Sequence, residues 1–146
     1  MLQLLINARL YAPQPLGVQQ LLIGAGRILW LGERIPDLDD ALEVDIQDLD
    51  GGRLIPGLID AHAHLTGGGG EAGFASRVPP PPLSHYTRAG VTTVVGLLGT
   101  DDITRNTAAL LAQVRGLEQE GITAFCHTGG YHLPPTPLTG SVTGDI

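Results

Sequence analysis

Leu54-Ile55-Pro56-Gly57-Leu58-Ile59-Asp60-Ala61-His62-Ala63-His64-Leu65, followed by Thr66, four glycines (Gly67, Gly68, Gly69, Gly70) and Glu71, is the stretch whose reading decides the fold. Read as one strand over 54–65, it sends successive side chains to opposite faces, so His62 and His64 share a face with Ala63 between them. Neutral imidazole is a good ligand for zinc and similar divalent metals, and two nitrogens about 6 to 7 Å apart along a strand can share one ion. The glycines strip side chains from the backbone just past the histidines, so that N–H groups can approach a bound molecule, and Glu71 adds a negative charge. A His-x-His pair also occurs by coincidence on surfaces and in cores, and glycine runs also serve as linkers. Linker glycines come mixed with Ser and Thr between domains, whereas these lie between a hydrophobic strand and a helix start.

Outward from this stretch, the chain changes character at its start. Residues 54–146 alternate strand and helix. After the first strand, PLSHYTRAG reads as a short helix with Pro82 early and Gly90 past its end, and VTTVVGLLGT as a second strand. Asp101-Asp102-Ile103-Thr104 offers N-caps to a second helix, with Leu110, Leu111, Val114 and Leu117 on one face and Gly121 closing it; residues 122–127 form a third strand. A β-α-β-α-β series implies parallel strands joined by right-handed crossovers. Residues 1–53 read instead as short strands at 2–13, 18–23 and 27–32, a meander turning at Gly24-Ala25-Gly26, then a half-buried strand in EVDIQDLDG ending at Gly51-Gly52. IGAGRIL lacks the third glycine of a dinucleotide loop and is followed by a strand, so its glycines belong to a hairpin.

PGLIDAHAH resembles the first-strand signature of the amidohydrolase superfamily, metal-dependent hydrolases on a (β/α)8 barrel. The longer HLTGGGGEAG, with VGLLGTD, TGGYH and LTGSV in the same order, resembles the isoaspartyl dipeptidase (β-aspartyl peptidase) family. The resemblance implies an α/β fold class. Residues 54–146 would be the first three βα units of an amidohydrolase-type (β/α)8 TIM barrel, and residues 1–53 the N-terminal half of a small β-sandwich domain. A full barrel takes about 250 residues, so a chain of 146 is too short for the fold its motif announces.

Barrel chemistry sits at the C-terminal ends of the strands. Those ends supply His62, His64 and the glycine loop; Gly99, Thr100 and Asp101; and Thr128 to His132. On residue type alone, Tyr131 is either a packed loop aromatic or a hydroxyl able to donate to a developing oxyanion, and Thr100 either a turn residue or a contact. The resemblance implies that His62 and His64 bind one zinc of a binuclear centre. It implies that Gly69, Gly70, Glu71 and Thr100 contact a β-aspartyl dipeptide, with Glu71 on its free α-ammonium, and that Tyr131 binds substrate and acts at the scissile carbonyl. His85, His127 and His132 match no ligand position. The remaining ligands would be a carbamylated lysine, two histidines and an aspartate on later strands. All eight basic residues are arginine, so this chain holds no such lysine, and it is expected to be the N-terminal part of a longer enzyme and inactive alone.

A net charge of −7 and a pI near 4.9 argue against nucleic acid and anionic membrane as partners. Asp37, Asp39, Asp40, Glu43, Asp45, Asp48 and Asp50 read as the solvated edge of a small sheet. No run reaches the roughly 18 apolar residues of a membrane span, the start lacks a signal-like pattern, and lone Cys126 suits a buried thiol in a reducing compartment; a cytoplasmic protein is expected. The family further implies a homo-oligomer at full length. A cyclic-amide hydrolase of the same superfamily, resembling dihydroorotases or hydantoinases, shares PGLIDAHAH but not the longer glycine string, and a non-catalytic fragment is the reading from another class.

Overall fold

A computed structural model describes residues 1–39 and 41–146, so Asp40 of the acidic stretch lies outside the described residues. The chain divides into two compact units, Met1–Pro56 and Gly57–Ile146.

The first unit is a five-stranded sheet. β1 (Leu2–Tyr11), β2 (Pro15–Gly24) and β3 (Arg27–Gly32) are antiparallel neighbours. The meander stops there, because β4 (Val44–Asp48) returns to lie parallel to β1 on its other side, and the two-residue β5 (Arg53–Leu54) pairs β1 further along. The β2–β3 turn is made by Ala25 and Gly26, both at positive φ (49° and 71°), the geometry whose twist suits a two-residue hairpin. β4 is the acidic edge, largely exposed. Asp48 is more than a solvated charge: it accepts from Asn7 Nδ2 on both oxygens at 2.9 Å and from the Asp50 N–H at 2.8 Å. Those donors, the Asp50 amide foremost, hold its carboxyl below the ordinary range. They also secure Asn7, which sits at φ 56° where β1 slips register.

The second unit holds a parallel three-stranded sheet in the order β10-β9-β6, formed by β6 (Leu58–Ala63), β9 (Val91–Gly96) and β10 (Thr123–Cys126). The single strand expected over 54–65 is therefore broken: Leu54 belongs to β5, Ile55-Pro56-Gly57 is unpaired, and His64 lies one residue past the end of β6. Pro56 has no N–H to give a ladder, and Gly57 passes so close to Thr92 that a Cβ there would collide with its side chain. Between strands run α1 (Leu83–Arg88), which starts after Pro82, and α2 (Thr107–Gln119). The cap of α2 is Asn106, whose side chain accepts from the Ala109 N–H at 2.9 Å, and not a residue of 101–104 as expected. A two-stranded ribbon pairs β7 (Gly68–Gly69) with β8 (Arg77–Val78) across a 3-10 turn at Phe74–Ser76, and α3 (Val142–Asp145) ends the described chain.

The core of this unit is made by Val94 and Ala124 from the sheet, Leu110, Val114 and Leu117 from α2, Tyr86 from α1, and Ala63, Leu65, Leu98 and Ile122 at strand ends. Three of the four apolar α2 positions expected to face inward are buried and Leu111 is half-buried. Cys126 is half-buried beside this core, and burial pushes its thiol up. No helix among the described residues is long and apolar enough to cross a membrane.

Candidate metal and substrate site

Because β6 ends at Ala63, the chain turns immediately after it, with Leu65 N–H donating to Ala63 O and Gly67 N–H to His64 O. This turn brings the imidazoles of His62 and His64 to 5.3 Å between ring centroids, nearly edge to face, closer than an extended strand would hold them. Asp60 steadies the approach by accepting from the His62 N–H at 3.0 Å. The His64 ring packs on backbone stripped of side chains: a Cβ at Gly99 would stand 2.5 Å from His64 Cε1, and one at Gly68 3.3 Å from its Cγ. The two rings open on a groove of about 430 Å³ shared with Gly68, Gly69, Val78, Pro79 and Tyr86.

The donor set fits a metal ion in kind but not in number. Two neutral imidazoles side by side are suitable ligands, and the buried Nδ1 of His64 has no hydrogen-bond partner among the described residues, so no other polar group competes for that ring nitrogen. Nor does any cluster of three or more His, Cys, Asp or Glu side chains suited to a metal occur among them. His62 and His64 would thus supply two of the donors a catalytic ion needs.

The glycine stretch is a fixed ribbon and not a slack loop. Gly67 and Gly69 take φ of 91° and 67°, and a Cβ would run into Val78 O at the first and Ser76 O at the second, so β8 can pair with this segment only because side chains are missing from it. The ribbon then delivers Gly70 and Glu71 to a second cavity of about 280 Å³, shared with Phe74, Thr100 and Asp101. There the Thr100 hydroxyl donates to Glu71 Oε1 at 3.0 Å. The Glu71 carboxyl is held below its ordinary value first by its own backbone N–H and then by Thr100, with the charges of His64 and Arg105 adding to the effect. Glu71 is accordingly ionised at neutral pH and oriented, with Thr100 on Oε1.

Tyr131 stands apart from this group. It is 70% exposed, and its ring lies edge-on to His132 at 6.0 Å. What fixes that loop is Asp102, which accepts from the His132 N–H at 2.9 Å and faces its Nδ1 at 2.6 Å, while a Cβ at Gly130 would clash with Asp102. The His132 amide, followed by its ring, keeps the Asp102 carboxyl below the usual range. His127 lines a separate cavity with Cys126, Arg115 and Asp145, and His85 lies on α1, so neither joins the His62/His64 pair. The sequence placed Asp101 at a strand end and offered Asp101 and Asp102 as helix caps, but gave neither its partner and passed over Arg105; the only local signal for that residue was an Arg four residues after an Asp, just ahead of a helix cap.

Two solved structures of β-aspartyl dipeptidase from Fervidobacterium islandicum, one in complex with a β-Asp-Leu dipeptide, are 42% identical to the chain and cover 99% of it, with TM-scores of 0.90 for the complex and 0.93 for the other. The chain spans 38% and 39% of their lengths. Among curated relatives, imidazolonepropionase from Colwellia psychrerythraea is 34% identical over 124 residues, covering 77% of the chain and 29% of the relative. That from Cupriavidus taiwanensis is 37% identical over 118 residues, covering 77% and 28%. Dihydropyrimidinase from Brevibacillus agri shares the fold, with a TM-score of 0.58 at 18% identity. No family model matches the chain. Sequence relatives and structural neighbours name different reactions, but both kinds of likeness run through a barrel start whose first strand ends in paired histidines, and the chain belongs to the amidohydrolase superfamily as the N-terminal part of that fold.

Proposed function

We propose that the full-length protein is a zinc-dependent isoaspartyl dipeptidase, hydrolysing dipeptides joined through the β-carboxyl of aspartate. The observation that carries this reading is the ribbon Gly68–Glu71, which lines the histidine groove at one end and, at the other, presents an ionised Glu71 fixed by Thr100. The 42% identity to a dipeptidase solved with β-Asp-Leu supports it.

His62 and His64 would hold one zinc, and the remaining ligands of a binuclear site, including a carboxylated lysine, would come from sequence beyond residues 1–146. Such a centre supplies a water-derived nucleophile at neutral pH and polarises the scissile carbonyl. Glu71 Oε2 takes the substrate's α-ammonium in a charge-assisted hydrogen bond while Thr100 occupies Oε1. Gly69 and Gly70 let the substrate lie against bare backbone, and the exposed Tyr131 hydroxyl donates to the oxyanion as it forms. The substrate is a small dipeptide, the protein works without nucleic acid or membrane in the cytoplasm, and the full-length enzyme assembles as a homo-oligomer.

The test is turnover of β-Asp-Leu against α-Asp-Leu by the full-length enzyme, with and without chelator. Metal-dependent cleavage of the β-linked dipeptide alone is expected. The imidazolonepropionase relatives favour a second reading, hydrolysis of a cyclic amide such as an imidazolone ring. Preference for such a ring over β-Asp-Leu removes the dipeptidase reading.

A further inference from the structure

Arg105 is, with Gln19, one of two buried polar side chains among the described residues, and the roles assigned above do not use it. Its guanidinium makes four contacts. Nε donates to Thr66 O at 3.0 Å, Nη2 to Gly68 O at 3.1 Å and Val78 O at 3.3 Å, and Nη1 pairs with Asp101 Oδ2 at 3.4 Å. Thr66 and Gly68 bracket the start of the glycine ribbon, Val78 is its partner strand, and Asp101 adjoins Thr100, which holds Glu71. One side chain thus ties both strands of the ribbon to the loop that orients Glu71. Gly67 is shaped to the same purpose, since a Cβ there would come 3.1 Å from Nη2.

The charges agree with a structural role for this cation. Arg105 and Arg77 both approach Asp101 Oδ2 at 3.4 Å, so Asp101 is engaged by two guanidinium groups and by Thr104. Glu71 is left with a neutral hydroxyl as its side-chain partner and keeps its negative charge for a ligand. A lysine could not replace the arginine, because three donors on a point charge cannot reach carbonyls on two strands and a carboxylate at once, whereas five donors in a planar fork can.

We propose that Arg105 is a positioning residue for the ammonium subsite: it locks the glycine ribbon to Asp101 and so fixes Glu71 where a dipeptide's free α-ammonium is recognised. The proposal rests on the reading of Glu71 given above. Its test uses the full-length enzyme as wild type, Arg105→Lys and Arg105→Met, with Arg115→Lys, a variant of an exposed pair with Glu118, as control.

Hydrogen exchange at residues 67–71 reads the lock without substrate. Both Arg105 variants are expected to exchange there faster by about tenfold or more, with α2 unchanged, and the control to match wild type. In kinetics, Arg105→Lys should raise KM for β-Asp-Leu about tenfold while kcat moves less than about threefold, and should erase the preference for β-Asp-Leu over its N-acetylated form, with metal content unaltered. If Arg105→Met does not fold, Arg105→Lys carries both measurements. Unchanged exchange at 67–71 overturns the proposal, as does a loosened ribbon with unchanged KM and selectivity. A wild-type enzyme that ignores β-Asp-Leu instead overturns the dipeptidase reading, and the exchange measurement still decides whether Arg105 is the lock.

Discussion

Glu71 is oriented by the Thr100 hydroxyl and the His64 ring is packed on Gly99 and Gly68, so these neighbours are sharp places to probe. Glu71→Gln in the full-length enzyme should raise KM for β-Asp-Leu about tenfold or more, because the amide keeps the bond from Thr100 but loses the charge that meets an ammonium. Metal content should stay level, and loss of zinc by plasma emission would show that Glu71 serves the metal instead. Gly99→Ala is expected to lower metal content, since its new methyl must push the His64 ring aside at a backbone φ of 72°. Gly121→Ala is the matched control: φ is 98° but nothing lies within 4 Å, so it should cost stability of about 1 kcal/mol with metal content unchanged. That His62 and His64 lie together was legible from their spacing, although the turn after Ala63 and not strand alternation sets their approach. The role of Gly99 was not, since it depends on a ring arriving from 35 residues upstream.

At the level of elements, the segment between β9 and α2 does more than its sequence announces. Asp101 and Asp102 looked like helix caps, but Asn106 takes that place, and the two aspartates reach instead to Arg77 and His132. Helix periodicity located α2 within a few residues and placed Leu110, Val114 and Leu117 correctly. It could not foresee partners such as Thr66 O, 39 positions from Arg105, or the His132 N–H, 30 from Asp102. Likewise, Pro56-Gly57 marked a break that apolar content alone had bridged.

The Asp102 contact should be visible in pH dependence. Its carboxyl titrates below the ordinary value in the folded protein, so its stabilisation is complete above about pH 4 and is lost as pH falls through the lower, folded value. Asp102→Asn should therefore reduce stability at pH 7 by about 1 kcal/mol and narrow its gap to wild type below pH 4. Melting temperature measured across that range checks the sign; a constant gap would mean that the carboxylate charge contributes nothing. The same variant, by freeing the loop that carries Tyr131, should lower kcat more than it raises KM.

For the whole molecule, the parallel sheet has two open sides. Among the described residues, β6 and β10 each pair only with β9, and Ile59 and Phe125, both more than half exposed, show that apolar residues of this sheet lie uncovered. Parallel sheets are ordinarily buried on both faces. Residues 1–146 expressed alone are therefore expected to self-associate, to bind zinc weakly through two imidazoles, and to leave β-Asp-Leu intact. Sedimentation with and without zinc and a dipeptide assay test this; a monodisperse, active species would contradict it.

The β1–β2–β3 meander of the first unit and the parallel sheet of the second differ in how far apart in sequence their pairings lie, which bears on the order in which they form. β1, β2 and β3 close through tight turns, events of about microseconds, whereas β6, β9 and β10 meet only after long crossovers have been spanned. Trp30 is the sole tryptophan of residues 1–146, sits on β3 and packs beside Gly32, so its emission reports on the β1–β3 sheet. In stopped-flow refolding of residues 1–146, the fluorescence change of Trp30 should precede the recovery of helical circular dichroism from α1 and α2.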